Sequence, residues 1–360
     1  MSFKPDMSVN VAGITMANPL VLSEGPSSGS ARLIERAARH KMGAIVTKSV
    51  RLEPSKSENP YMTATAGGLI NADWTDIGFD AWLTELDKLK LDKPLFVNVG
   101  VNYCKPPKAA ELAEELQKHG ADFVTFSDYE PENLVEVVRY TKKNVNVPIM
   151  VKLPPFVKNI GDLCKRLEDA GVNMIAAMDA VGPAMDIDIE TRSAILGSDG
   201  SFGYLSSAPI FPLTLAYIAE ISSNVNVPVM GVGGVSTTDD VIKLIMAGAT
   251  CVGVVGTAIL KGVGVFDTLA DGLEKWMIKN NVKNLAEIRG AAQSSMHRTP
   301  RKDLRAQADG AACNGCGLCE ISCYAAAINM KSEKAFVSDY CSGCGICESV
   351  CPANAIRVRV

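Results

Sequence analysis

Eight of the eleven cysteines crowd the end of this 360-residue chain, in two runs of one spacing. Cys313, Cys316, Cys319 and Cys323 form the first run, and Cys341, Cys344, Cys347 and Cys351, followed by Pro352, form the second. Each reads C-x2-C-x2-C-x3-C, the spacing with which thiolates hold paired [4Fe–4S] clusters. Three closely spaced thiolates on a tight loop reach three irons of one cube, and the fourth ligand comes from the other run. One cluster is therefore expected on Cys313, Cys316, Cys319 and Cys351, and the other on Cys341, Cys344, Cys347 and Cys323. Disulfides or zinc sites are the alternatives, but the doubled spacing with Gly315, Gly317, Gly343 and Gly345 between ligands argues against them. Such centres move electrons one at a time.

Two further groups of residues carry chemistry. Gly233 and Gly234 in GVGGVS, and Gly256 with Thr257 in VVGT, let backbone N–H groups approach an anion closely, and Thr237-Thr238-Asp239 beyond them reads as a helix start. Lys48 and Lys152 each end or interrupt an apolar run, which is costly unless the ammonium faces a partner or a cavity.

The elements that must position these residues alternate along residues 1–290. Four apolar runs follow a proline: Pro19, Pro94, Pro148 and Pro228. Four follow a glycine: Gly43, Gly120, Gly171 and Gly248. The two kinds take turns without a break, and the sequence NVNVP recurs at residues 144–148 and 224–228. Short, nearly all-apolar runs read as strands buried on both faces, while intervening stretches such as KAAELAEELQKHG have helical period. Eight such units predict an α/β fold, a (β/α)8 barrel, with chemistry at the carboxyl ends of its strands and a phosphate site after the seventh and eighth. An open doubly wound sheet is the alternative. A polar, basic tract at 291–308 reads as a linker to a small α+β cluster domain at 309–360.

Composition is that of a globular protein, with 47% apolar and 21% charged residues. The net charge of −4 offers no footprint for nucleic acid or an anionic membrane. No stretch has the length of a membrane span, the N-terminus lacks the plan of a secretory signal, and thiolate ligands need reduced cysteine. The expected location is the cytoplasm, and exposed clusters would suit an oxygen-poor cell.

The stretches VAGITMANPLVLSEG, GAIVTKSV, PIMVKLPP, FGYLSSAPIFPLTLAYI, GVGGVSTTDDVIKLIMAGA and GVVGTAILK resemble the dihydroorotate dehydrogenase superfamily of FMN-dependent barrels. A barrel joined to a two-cluster, bacterial-ferredoxin-like module is similar to dihydropyrimidine dehydrogenase and its bacterial relatives. The resemblance implies FMN, its phosphate on Gly233, Gly234, Gly256 and Thr257. It implies Lys152 at the pyrimidine edge of the ring and Lys48 near N5 and the substrate. Ser23, Gly25, Thr47, Asn98, Asp179 and Gly203 would be further flavin contacts, and Asn71 matches a substrate-contacting asparagine. A homodimer is also an expectation of the family.

The chain departs from that pattern after the fourth strand. Phe126-Ser127-Asp128-Tyr129-Glu130-Pro131 stands where the family has an Asn-Leu-Ser-Cys-Pro-Asn-like motif, so its acid/base residue is missing. Candidates for that role on the same rim are Cys104, Tyr103, Asp128 and Tyr129. Cys164 and Cys251 read as packing, and His40, His119 and His297 lack metal-like spacing. The expected activity is oxidation or reduction of a C=C/CH–CH bond in a small substrate, with flavin bridging two-electron and one-electron chemistry. GVGGVS is not a strand-initial dinucleotide fingerprint, so electrons would be exchanged with a separate NAD(P)H-binding or flavin subunit or with a ferredoxin. The contrasting expectation is an electron-transfer subunit with a vacated substrate site.

Overall fold

The eight apolar runs become eight parallel strands: Leu20–Leu22 (β1), Ala44–Val46 (β2), Leu95–Gly100 (β3), Phe123–Ser127 (β4), Ile149–Leu153 (β5), Met174–Ala177 (β6), Val229–Val232 (β7) and Cys251–Val254 (β8). Each pairs with its successor, and β8 returns to β1 with Val252 opposite Leu20, which closes the barrel. This computed structural model describes residues 3–72, 76–101, 104–296 and 304–359.

Alternation along the strands divides the core into two layers. Val21, Val46, Phe96, Phe123, Met150, Met174 and Met230 pack together inside the barrel, with the Phe96 and Phe123 rings 4.9 Å apart. Their neighbours Leu20, Leu22, Ile45, Val97, Val124 and Val151 pack outward with the helices. The helix Pro106–Lys118 shows why its sequence is helical: Ala109, Leu112, Ala113 and Leu116 recur at helical spacing and are buried. Each fully buried large apolar side chain contributes about 1.5–3 kcal/mol. An N-terminal hairpin, Val9–Val11 with Ile14–Met16, adds Val11 and Met16 to the inner cluster.

Two excursions from the barrel meet in a four-stranded antiparallel sheet, whose strands in spatial order are Val181–Ala184, Gly203–Ser207, Gly68–Asn71 and Met62–Thr65. Its central pairing sets Tyr204 opposite Asn71 and Ser206 opposite Leu69. The sequence pattern gave no expectation of this sheet.

The chain divides into two units, Met1–Met296 and His297–Val360. The second holds two antiparallel pairs, Arg305–Ala308 with Ile356–Arg359 and Ile328–Lys331 with Lys334–Val337, and the short helices Leu318–Ile321 and Ile346–Val350. The span expected as a linker is therefore shorter than 291–308. Ala292 donates to the Met246 carbonyl at 3.0 Å and Gln293 Nε2 to Ser222 Oγ at 2.8 Å, which ties this stretch to the barrel. Residues 305–308 are a strand of the cluster unit, paired there because Ala306 joins its small core. No helix among the described residues is long and apolar enough to cross a membrane.

Candidate functional site

Period-two alternation carries the inner layer up to the carboxyl ends of the strands. Two residues beyond the inward Met150 comes Lys152; Phe96 leads in the same way to Asn98, Val21 to Ser23 and Val46 to Lys48. Where the apolar filling stops, a cavity opens at the strand ends. It brings together Gly25, Lys48, Asn71, Lys152, Asp179, Gly233, Gly234, Gly256 and Thr257, nine of the residues expected from the sequence.

Lys152 is the electrostatic centre of this cavity. Its Nζ lies 3.3 Å from Asp179 Oδ1 and 3.4 Å from Glu24 Oε2. Burial opposes the ammonium charge, but the attraction of Asp179 and Glu24 outweighs it and raises the lysine pKa. Lys152 is thus a fixed cation. Ser23 Oγ donates to Glu24 Oε2 as well, while Glu24 Oε1 is buried with no partner among the described residues. Lys48 behaves in the opposite way. Burial is the chief cause that lowers its pKa, with Asp76 opposing and Arg51 assisting. Asp76 is itself pushed upward, mainly by burial.

The glycine-rich end is shaped for close approach. Gly233 and Gly234 sit at φ +123° and +82°, and a Cβ on Gly234 would stand 2.5 Å from the Phe211 nitrogen. At Gly256 a Cβ would lie 2.1 Å from Ser207 Oγ. Ser207 holds φ +70°, and its buried hydroxyl has no partner among the described residues. Thr257 instead spends its hydroxyl on the Val235 carbonyl, at 2.6 Å. The expected helix start is present, but Thr237 and Asp240 cap it reciprocally.

Other expected residues fall outside the lining. Ser23, Thr47 and Asn98 are buried and not on the cavity surface. Asn98 Nδ2 donates to Ser49 Oγ at 2.7 Å and its backbone N–H to Thr47 Oγ1 at 3.1 Å. Gly203 packs against Asn71, where a Cβ would meet the carbonyl oxygen at 2.6 Å, so it permits strand pairing and does not line the cavity.

Cys104, Asp128 and Tyr129 line a different, open cleft. Burial pushes the Cys104 thiol up, which suits a packing role better than proton abstraction. Asp128 is committed to its loop: Oδ1 accepts from the Glu130 N–H at 2.9 Å and Oδ2 from Asn133 Nδ2 at 2.7 Å. The exposed Tyr129 ring stacks on Tyr204, with centroids 6.0 Å apart. Tyr204 shares a sheet face with Ser206, Leu69 and Asn71, all three of which line the main cavity. Tyr103 and His297 lie outside the described residues. Cys164 and Cys251 are buried, the first thiol pushed up to about 12 and the second further. His40 and His119 pair with Asp267 and Asp87 at 2.8 and 2.7 Å.

Sequence reasoning missed Glu24, Asp76, Ser206 and Ser207. Glu24 had a signal, a carboxylate two residues past the end of an all-apolar strand. Ser206 and Ser207 had none, because their place depends on a pairing with residues more than a hundred positions earlier.

In the second unit Cys313, Cys316, Cys319 and Cys351 line one small cavity. None of the cysteines is joined in a disulfide. Cys347 is pushed up by burial and by the nearby Cys341 and Cys344. The two runs repeat each other in detail: Ala327 N–H points at Cys323 Sγ at 3.3 Å, and Ala355 N–H at Cys351 Sγ at 3.2 Å. Among the described residues no three His, Cys, Asp or Glu side chains converge on a single-ion site. Thiols spread around a cavity suit a cluster better than one zinc ion.

A family model described as dihydroorotate dehydrogenase matches residues 6–277. The chain belongs to the dihydroorotate dehydrogenase family. Membership makes it an oxidoreductase acting on a CH–CH group. A 4Fe-4S binding domain model matches residues 335–357, which contain the second cysteine run. Among curated relatives, the protein named dihydroorotate dehydrogenase B (NAD(+)), catalytic subunit, is 33% identical in Pyrococcus abyssi, with 79% of this chain and 99% of the relative covered. Its counterpart in Methanothermobacter thermautotrophicus is 31% identical, over 79% and 98%. Dihydroorotate dehydrogenase of Eimeria tenella, solved with ferulenol, shares the fold at a TM-score of 0.68 and 17% identity, covering 79% of this chain and 88% of the other.

Proposed function

We propose that the barrel holds FMN in the cavity at its strand ends and exchanges electrons between a small cyclic CH–CH substrate and two [4Fe–4S] clusters in the C-terminal unit. The observation that carries this reading is the single cavity uniting a glycine cradle at Gly233, Gly234 and Gly256 with Lys48, Lys152 and Asn71. The fit to FMN is chemical as well as spatial. A cradle that any Cβ would fill, with the unpartnered Ser207 hydroxyl beside it, suits a phosphate. The fixed cation at Lys152 suits the pyrimidine edge of the ring. When bound, FMN supplies hydride exchange at N5 and passes electrons singly to a one-electron acceptor.

The remaining chemistry falls to side chains of this chain. Asn71 orients a substrate by its buried amide, whose Nδ2 already donates to the Ala72 carbonyl at 3.2 Å. Lys48 handles the proton: it lines the cavity, and its lowered pKa brings an ammonium closer to neutral-pH exchange. Asp128 is held by its own loop and Cys104 lies in another cleft, which leaves Lys48 the better placed of the candidates. Tyr129, although it lines the other cleft, stacks on Tyr204, whose sheet face carries the cavity-lining Asn71, Leu69 and Ser206.

The relatives' names point to dihydroorotate as the first substrate to try. The cysteine runs point to an iron–sulfur or flavin partner as the electron terminal. Convergence of Lys48 and Asn71 in the cavity favours this reading over an electron-transfer subunit with a vacated site. The test is an anaerobically purified full chain assayed for flavin and iron, then photoreduced or bleached with dihydroorotate, orotate and a panel of dihydropyrimidines and enoyl compounds. Flavin absorption over a cluster background, changed by one of these compounds, is expected. A chain free of flavin would refute the cofactor, and a flavin indifferent to the whole panel would refute the substrate class.

A further inference from the structure

We infer that Glu24 tunes the redox potential of the bound flavin downward by offsetting the charge of Lys152, which makes the flavin a stronger reductant than its lysine alone would allow. The inference rests on the proposed FMN site and concerns a residue given no role in it. Three observations carry it. Glu24 lines the cavity and is itself buried, with 7% of its surface exposed. Its Oε2 stands 3.4 Å from Lys152 Nζ, whose second carboxylate partner is Asp179. Its Oε1 is buried and lacks a partner among the described residues, so no donor at that oxygen offsets the carboxylate charge.

The electrostatics follow from counting. A lone ammonium beside the pyrimidine edge favours the reduced flavin, which gains negative charge there. Two carboxylates on one ammonium turn the local sum from positive to negative. Because Glu24 and Lys152 are buried, that sum is screened less than it would be between exposed groups. Glu24 contributes more than Asp179, since its side chain is 4% exposed against 34% for Asp179. Reduction of the flavin is therefore disfavoured, and electrons held there are delivered more readily to an acceptor, whether substrate or cluster.

The experiment is a spectroelectrochemical titration of the flavin in the full-length holoprotein, comparing wild type with Glu24→Gln and Asp179→Asn. Glutamine keeps the shape and an acceptor oxygen and removes the charge. Glu24→Gln should bind FMN at the wild-type stoichiometry and shift the flavin equilibrium toward reduction at least tenfold, which is about 30 mV upward for a two-electron couple. Asp179→Asn should shift the same way by less, and it serves as the second reading if Glu24→Gln does not fold. Potentials unchanged in both variants would overturn the inference. So would a folded Glu24→Gln protein that has lost its FMN, because Glu24 would then be a flavin anchor and not a charge acting through Lys152. A wild-type protein without FMN would instead sink the flavin site on which the inference stands.

Discussion

Replacing Lys152 with methionine tests the charge arrangement at the heart of the barrel. Methionine matches the lysine stem in length but leaves Glu24 and Asp179 without their shared counter-charge. Breaking a buried ion pair from one side costs about 3–5 kcal/mol, because the stranded charge keeps its desolvation penalty. The two carboxylates should not suffer equally. Asp179 is 34% exposed and can turn to water, whereas Glu24, at 4%, cannot. Unfolding entropy near 2.1 cal/mol/K per residue over roughly 300 residues converts the loss into a fall of about 5–8 °C in melting temperature. The assay is thermal unfolding by circular dichroism of wild type, Lys152→Met, and Lys152→Met with Glu24→Gln, each with and without excess FMN. The double variant should recover most of the loss, since it removes the stranded charge. A fall below about 2 °C, or no recovery in the double variant, would refute the account of Lys152 as the compensating charge.

Gly234→Ala forces a left-handed φ on an L-residue and drives its Cβ into the Phe211 backbone; FMN affinity should fall at least tenfold, read by fluorescence titration, with the iron content unchanged. Lys48→Met should slow substrate-linked flavin reduction a hundredfold or more while FMN and iron contents stay at wild-type levels, which rapid-mixing absorbance can follow. Burial lowers the Lys48 pKa in the folded state, so its charged form is penalised below that lowered value and the penalty fades toward the ordinary 10.5. Wild-type stability should accordingly gain on Lys48→Met as pH rises through that window, a trend that urea melts at several alkaline pH values would reveal. Cys351→Ser should remove about half of the iron, from the cluster of the first cysteine run, if the ligands cross between runs as proposed. Electron paramagnetic resonance of the reduced variant would then report one cluster with the surroundings of the second run.

The barrel was legible in the sequence because each of its strands is locally marked. An apolar run of β-branched residues between a proline or glycine and a helical stretch can be read without knowing its partners, and all eight strands formed where such runs lie. The cysteine runs were legible for a similar reason, since ligand spacing within a loop is a local property. Lys152 was legible as an ion inside an apolar strand, and period two sufficed to turn it inward.

What the tertiary structure alone decided concerns residues whose meaning depends on distant partners. Tyr204 faces Asn71, and Ser206 faces Leu69, only because two excursions from different strands pair into one sheet. That pairing puts Ser207 beside Gly256, which no local pattern marks. Asp128, attractive as an acid or base by its place on the rim, turned out to be fastened to Glu130 and Asn133. Glu24 shows the division most clearly. The sequence by itself determined that a carboxylate follows β1; only the closed barrel set that carboxylate against a lysine from β5, because ring closure brings strands far apart in the chain to face one another across a single interior.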